Sequence, residues 1–155
     1  MKYLLKTLSV FILILTSCEK QRETASDPRE DFKAVEQVIQ DVFDDIWSAK
    51  KTELISKYHT DHFILLEHGE VWTNDTIANW CEQAKKRDQG VKRINRFNFF
   101  KAKKEGNRIW MAYHNYATMK KDTVERKLQW LESIVAIKKD SLWKLELMHS
   151  TRLTM

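Results

Sequence analysis

The stretch RKLQWLESIVAIKKDSLWKLELMHSTR, residues 126–152, decides the fold. Apolar residues recur at every second position over most of it, which is typical of β-strands with one buried face. The polar segment from Lys139 to Ser141 divides the stretch, and its length is one that hairpins use. The stretch therefore predicts two antiparallel strands, 126–138 and 142–152.

The same alternation extends upstream, to strands over 91–100 and 108–118. Short turn-like segments at 104–107 and 120–122 separate these strands from each other and from the next one. Four consecutive strands joined by short turns predict an antiparallel meander. Strands of this length usually bend, so we expect a curved sheet.

Helical spacing dominates the chain before the meander. Asp27 and Pro28 are typical of a helix start, and apolar residues then recur at intervals of three and four. They are Val35, Val38, Ile39, Val42, Phe43 and Ile46. A shorter helix is predicted over 52–58, and a third one, capped by Asn74 or Asp75, carries Ile77, Trp80, Cys81 and Ala84.

A short strand or hairpin is predicted between the second and third helices, over 63–72, with its turn at Gly69. Helices collected at one end of the chain can cover only one face of the sheet. The sequence thus predicts an α+β fold, with three N-terminal helices packed in the hollow of a curved antiparallel sheet.

The first residues are typical of an export signal. Lys2 and Lys6 precede an apolar run that is too short to span a bilayer. The run ends in Leu15-Thr16-Ser17-Cys18, which resembles a bacterial lipobox. We therefore expect residues 1–17 to be a lipoprotein signal peptide, 18–27 a flexible tether with a lipidated Cys18, and 28–155 one domain anchored to the bacterial cell envelope.

Composition limits the partners. The formal net charge of +5 falls to +3 without Lys2 and Lys6, and the basic clusters are interleaved with acids. This pattern indicates a solvated surface rather than a nucleic-acid-binding stripe. If Cys18 carries lipid, Cys81 has no partner for a disulfide, and we expect it to be a core residue.

Four short segments resemble the nuclear transport factor 2-like superfamily, which includes SnoaL-like and ketosteroid isomerase-like proteins. Trp130-Leu131-Glu132-Ser133, with Trp143-Lys144-Leu145 and His149-Ser150-Thr151, resembles the closing strand pair of SnoaL-like proteins. Gly69-Glu70-Val71-Trp72 is similar to the segment before their third helix. The resemblance implies a cone-shaped fold with a pocket between the sheet and the helices.

In the isomerase branch, a carboxylate just after the first strand moves the proton, and a Tyr and a protonated Asp bind the oxyanion. The resemblance places Glu67 and His68 near that carboxylate's position. No clear equivalent of the Tyr and Asp pair is visible, which argues against steroid isomerisation.

Glu132 and His149 are the main candidates for chemistry. Alternation places Trp143, Leu145, Leu147 and His149 on one face of the last strand. Glu132 shares a face with apolar neighbours on the strand before it, and burial would raise the pKa of its carboxyl. The two residues are expected to form either an acid and base pair or a structural hydrogen bond.

Aromatic residues are candidates for lining the pocket, although a Trp stripe is also typical of core packing. The predicted ligand-binding residues are Trp72, Tyr113, Tyr116, Trp130 and His149. Tyr113 and Tyr116 lie on opposite faces of their strand, and the sequence leaves open which face meets the pocket. His59, Asp61, His62, Glu67 and His68 match no metal-ligand spacing, so neither a metal nor a cofactor is predicted.

Three functions remain open. The first hypothesis is an envelope lipoprotein that binds a small apolar or amphipathic molecule. The second is a cofactor-independent isomerase, cyclase or dehydratase in which His149 or Glu67 is the general base and Glu132 a further catalytic candidate. The third is an interaction module that dimerises through its open sheet face.

Overall fold

The computed structural model describes residues 27–87 and 90–154. The predicted signal peptide and the lipidation site at Cys18 lie outside the described residues, so both stay predictions. Among the described helices, none has the length and apolar character needed to cross a membrane.

The first helix, α1, spans Pro28–Asp41 and continues as a π-helical segment, Val42–Ser48. The Asp27 side chain caps α1 by accepting from the Arg29 backbone N–H at 3.0 Å. A π-helix has more residues per turn than an α-helix. In this segment the neighbours Val42 and Phe43 are both buried, and so are Ile46 and Trp47. The buried residues of both parts confirm the predicted spacing and are Asp31, Val35, Ile39, Val42, Phe43, Ile46 and Trp47.

The predicted second helix is present in two pieces, a 3-10 turn at Thr52–Leu54 and a one-turn helix, α2, at Ile55–Tyr58. Strand β1, His59–Glu67, follows at once and pairs with β2, Glu70–Thr73. His68 and Gly69 both have positive φ, 52° and 80°, which is the backbone geometry of a tight hairpin turn.

Helix α3, Asn74–Lys86, is capped by Thr73, whose hydroxyl accepts from the Thr76 backbone N–H at 3.3 Å. The expectation that Asn74 or Asp75 caps this helix is wrong. The Asn74 amide is engaged elsewhere, because it donates to the Thr60 carbonyl at 2.8 Å and its oxygen lies 2.9 Å from Nδ1 of His59.

Four long strands complete the chain, and they confirm the predicted meander with somewhat longer boundaries. They are β3, Lys92–Glu105, β4, Arg108–Lys121, β5, Val124–Lys139, and β6, Leu142–Leu153. The sheet order is β2-β1-β6-β5-β4-β3. Neighbours in the meander are antiparallel, whereas β1 joins β6 in parallel. The parallel pair was not anticipated, since alternation within a strand carries no information about its partner.

The helices cover the concave face of this curved sheet. A buried acid, Asp31, ties α1 to the sheet. Its Oδ1 accepts from the Trp143 indole at 3.1 Å and from Lys138 at 3.0 Å, while Oδ2 accepts from Lys104 at 2.5 Å. Three strands thereby hold the first turn of α1, which fixes the helix over the hollow.

Candidate functional site

A cavity of about 260 Å³ lies between the helices and the concave sheet face. The helical layer contributes Phe43, Trp47 and Trp80, and the β1–β2 hairpin contributes Glu67, His68 and Trp72. The remaining lining residues come from the long strands and are Arg93, Trp130, Glu132, Met148 and Ser150. The cavity therefore combines an aromatic wall with a few charged and polar groups, as small-molecule sites commonly do.

The structure brings four of the predicted site residues together. Glu67, Trp72, Trp130 and Glu132 all line this cavity. Tyr113 is fully buried beside them, as the cross-strand partner of Glu132. The face of β4 that the sequence left open is thus decided, because the side with Tyr113 points inward. Tyr116 lies on the opposite, exposed side.

His149 lies outside the cavity, on the exposed face of β6. The expectation that it shares a face with Trp143 and Leu145 is wrong. Ala136 pairs with Leu145 but its neighbour Val135 pairs with Leu147, so Glu146 is an extra residue in β6. Such a β-bulge reverses the alternation beyond it. Ser150 faces inward instead and is the cross-strand partner of Glu132.

Glu132 forms the polar centre of the site. Its side chain is almost fully enclosed, with 4% of the residue exposed. Oε1 accepts from the Asn115 amide and from the Ser150 hydroxyl, both at 3.2 Å. Oε2 and the Tyr113 hydroxyl are both buried without a hydrogen bond of normal geometry among the described residues. Tyr113 is the cross-strand neighbour of Glu132, and its interaction with that carboxyl adds to the rise of the Tyr113 pKa.

A chain of hydrogen bonds connects Glu132 to the edge strand of the sheet. Asn95 Nδ2 donates to the side-chain Oδ1 of Asn115 at 2.6 Å, and Arg93 Nε donates to the side-chain Oδ1 of Asn95 at 2.9 Å. Successive residues of a strand point to opposite faces of the sheet. Arg93 and Asn95 of β3 and Asn115 of β4 occupy the positions that point to the concave face. The chain orients Asn115, whose amide then donates to Glu132.

Burial controls the electrostatics of the cavity. Loss of solvent raises the pKa of Glu132 to about 7, although hydrogen bonds from Asn115 and Ser150 and the charge of Arg93 act in the opposite direction. Burial also raises the pKa of Glu67 and of Tyr113 and lowers that of Arg93. Two carboxyls with raised pKa values in one cavity are typical of a functional site.

Sequence reasoning missed several cavity residues. Arg93, Asn95 and Ser150 were not singled out, and neither were Trp47 and Trp80. One signal was available in the sequence. Arg93 and Asn95 lie on the same strand face as Phe97 and Phe99, and that face is otherwise apolar. Polar residues at buried positions of an alternating strand call for hydrogen-bond partners.

The candidate metal ligands do not converge. His59 is buried, stacks on Phe63 at 3.8 Å and bonds to Asn74, whereas His62 is exposed. Within residues 27–87 and 90–154, no three His, Cys, Asp or Glu side chains are arranged to hold a metal ion. Cys81 is a buried core residue, as expected, and its thiol donates to the Ile46 carbonyl at 3.6 Å.

Solved structures of the same architecture exist, although no protein-family model and no curated protein sequence matches the chain. The hub homology domain of CamKII from Chlamydomonas reinhardtii is 15% identical and covers 80% of this chain and 99% of its own, with a TM-score of 0.70. A ketosteroid isomerase-like protein from Erwinia carotovora is 11% identical over 81% of this chain and 98% of its own, with a TM-score of 0.60.

A third structure, a hexachlorocyclohexane dehydrochlorinase, is 6% identical, covers 82% of this chain and 88% of its own, and has a TM-score of 0.63. These likenesses establish the fold and nothing finer, because the identities are low. The chain has the nuclear transport factor 2-like fold, and the resemblance noted in its sequence is confirmed.

Replacing Glu132 by Gln should change how stability depends on pH. The folded protein holds a proton on Glu132 up to about pH 7, whereas an unfolded glutamate releases it near its ordinary pKa. The unfolded state then binds fewer protons, so stability falls as pH rises through this window, by about 3 kcal/mol at most.

We expect Glu132→Gln to lack this fall, measured by urea unfolding at intervals between about pH 4.5 and pH 7.5. Glu125→Gln, an exposed position on the same strand, is the control and should follow the wild type. Parallel curves for the wild type and Glu132→Gln would show that burial does not retain the proton.

Proposed function

We propose that this protein is an envelope lipoprotein whose domain binds a small molecule with an apolar body and one polar group. The observation that carries the proposal is Glu132 itself. Glu132 lines a cavity walled by tryptophans, and its buried Oε2 lacks a hydrogen-bond partner among the described residues. A buried polar atom without a partner costs free energy, and a ligand that bonds to it removes that cost.

The aromatic wall supports the same proposal. Trp47, Trp72 and Trp80 form a mutually contacting group, and Trp130 lies on the sheet side of the cavity. Aromatic rings bury large apolar areas and select flat or branched apolar groups. At about 260 Å³, the space is somewhat below the usual range for drug-sized ligands, which favours a small one.

Native mass spectrometry of the protein purified gently from its own membranes should reveal a retained small molecule. Trp72→Leu removes one wall of the cavity, and we expect the dissociation constant to rise about tenfold, since losing an aromatic contact costs about 1.4 kcal/mol. The fraction of protein that retains the molecule should fall accordingly. Trp110→Leu is the matched control, since Trp110 lies on the outer sheet face. Equal retention by both variants, or no retained molecule at all, would contradict the proposal.

Catalysis is the second candidate, and the raised pKa values of Glu67 and Glu132 favour it. Two carboxyls in one cavity can serve as proton donor and acceptor, as cofactor-independent isomerisation or elimination requires. His149 has no part in this proposal, because it faces away from the cavity. The molecule that co-purifies with the protein separates the two candidates. An enzyme that moves protons would exchange a hydrogen of this molecule for deuterium in deuterium oxide, whereas a binding protein would not.

The membrane anchor is a separate part of the proposal and rests on the segment Leu15-Thr16-Ser17-Cys18. Two or more acyl chains hold a protein stably to a bilayer, whereas one chain does so only marginally. A triacylated Cys18 would therefore tether the domain through the polar residues 19–27. The cavity would then work at the envelope, outside the cytoplasm.

Cys18→Ser should abolish incorporation of labelled palmitate and move the protein into the aqueous phase of a detergent partition. Cys81→Ser is the control, because Cys81 is buried within the domain and has no part in the anchor. Labelling that survives in Cys18→Ser would rule out the lipid attachment site.

Dimerisation through the outer sheet face is favoured by the chemistry of that face. No Lys, Arg, Asp or Glu is found among the outward-facing residues at the centre of the described strands β4, β5 and β6. These residues are Trp110, Ala112, His114, Tyr116, Leu131, Ser133, Val135, Leu147, His149 and Thr151, and the same face becomes charged beyond them at Arg108, Lys127 and Lys144. An extended uncharged face with exposed aromatic residues is typical of a protein interface.

Leu131→Lys should convert a dimer into a monomer in sedimentation equilibrium. Leu131 is 42% exposed at the middle of this face, so a lysine there would meet the partner face and carry a charge into it. Leu142→Lys is the control, since Leu142 is 62% exposed in the β5–β6 hairpin. A wild-type protein that is monomeric at high micromolar concentration would rule out this interface.

A further inference from the structure

The cavity has the aromatic enclosure that organic cations favour. The ring centroids of Trp47 and Trp80 are 5.2 Å apart, and Trp72 lies 6.4 Å from each of them. Phe43 and Trp130 extend this wall toward the sheet. The faces of aromatic rings carry negative partial charge, so several rings around one space stabilise a cation there.

The protein itself already places cations against several of these rings. Lys50 Nζ lies 4.8 Å from the ring centroid of Trp80, while Arg93 and Arg152 lie 5.3 Å and 5.9 Å from that of Trp130. Among the described residues, no such contact involves Trp47 or Trp72. Trp72 is half-buried and Trp47 is 7% exposed, so Trp72 offers the larger ring surface to a ligand.

The carboxyls lining the cavity outnumber its guanidinium group. Glu67 and Glu132 face one Arg93, and the guanidinium of Arg93 is committed, because it donates to Asn95 and lies 5.4 Å from the ring centroid of Phe43. The imidazole of His68 lies 3.3 Å from Glu67, but its side chain is 60% exposed, so water screens it. With both carboxyls ionised, the enclosed groups carry one excess negative charge.

The negative charge of the Glu132 carboxylate has no directly bonded cation among the described residues. Oε1 receives two hydrogen bonds from neutral groups, whereas Oε2, enclosed in a residue that is 4% exposed, receives none from a described residue. A buried carboxylate of this kind needs either a proton or a cation. A ligand that supplies the cation would replace the proton.

We propose that the cavity binds a small organic ammonium ion, preferably a methylated one, held by the rings of Trp47 and Trp72 and neutralised by the carboxylate of Glu132. The inference rests on the proposed ligand-binding function and adds the charge of the ligand. Methyl groups suit the apolar walls and spread the positive charge, which is how aromatic cages recognise quaternary ammonium ions. An anion in the cavity would be repelled by the ionised carboxyls of Glu67 and Glu132 and is disfavoured.

Binding of a cation should release the proton that the free protein holds on Glu132. The other charged and titratable groups at this cavity are Glu67 from β1, His68 from the β1–β2 turn, Arg93 from β3 and Tyr113 from β4. The helices contribute only Phe43, Trp47 and Trp80. Of these, Glu67 and Arg93 carry opposite charges when both are ionised, and burial raises the pKa of Glu67. Affinity for a cation should therefore rise with pH through about pH 7.

The test compares three probes of nearly equal shape on the full protein. The first is choline, the second is the neutral alcohol in which a tert-butyl group replaces its trimethylammonium head, and the third is pivalate, which carries a negative charge. Binding is measured by tryptophan fluorescence and by calorimetry in two buffers of different ionisation enthalpy. We expect choline to bind about tenfold tighter than the neutral alcohol or better, with release of a fraction of a proton at pH 7.

Two variants test the carboxylate and the aromatic wall of the cavity separately. Glu132→Gln should remove both the preference for choline over the neutral alcohol and the proton release. Trp72→Leu should weaken choline about tenfold and retain the proton release. Glu125→Gln and Trp110→Leu, both away from the cavity, should match the wild type, and thermal unfolding establishes that every variant is folded.

Each contrary outcome overturns the inference in a recognisable way. Equal or tighter binding of the neutral alcohol removes the cation preference but leaves the proposed pocket intact. Tighter binding of pivalate reverses the sign of the ligand's charge. Failure of all three probes also overturns the inference, and the retained-molecule experiment then decides alone whether the proposed binding function survives.

Discussion

Two β-bulges, at Phe100 and at Glu146, determine which side chains reach the hollow of the sheet. Each inserts one extra residue into a strand and reverses the inward and outward positions beyond it. The bulge in β6 is the more consequential one, because it turns Ser150 toward Glu132 and turns His149 away. Bulges also bend their strands, and a bent sheet leaves space beneath the helices where a flat sheet would pack closed.

The polar groups in that space form a connected but incomplete network. From Arg93 through Asn95 and Asn115, hydrogen bonds lead to one oxygen of Glu132, and the other oxygen is left without a described partner. A core selected for stability alone would favour apolar side chains here, since partly satisfied polar networks are costly. Departures from the rules of core packing concentrate at functional sites, which is why we place the function at this cavity.

The two sides of the sheet have separate roles in this interpretation. The concave side combines aromatic rings with carboxyl groups and encloses a ligand-sized space. The convex side is open, uncharged at its centre and suited to contact with another protein surface. Because one fold hosts many functions, the low-identity structural neighbours define the architecture, and the functional argument depends on the residues of this cavity alone.

The sequence by itself determined the elements, their order and the fold. Periods of about 3.6 and 2 recur over long segments, and each depends only on neighbours along the chain, so α1 and the four meander strands were predicted with small boundary errors. Local pattern also identified Glu132 as an acid among apolar residues, as well as Trp72 and Trp130 as lining candidates.

Only the tertiary structure decided which residues meet at the site. A bulge depends on how two strands pair, and no alternation within β6 revealed that Glu146 interrupts it, so His149 was placed on the wrong face. Trp47, Trp80 and Arg93 join Glu132 because a helix, a second helix and an edge strand converge over the same hollow. Such contacts join residues far apart in the chain, and their positions are set by packing rather than by local sequence.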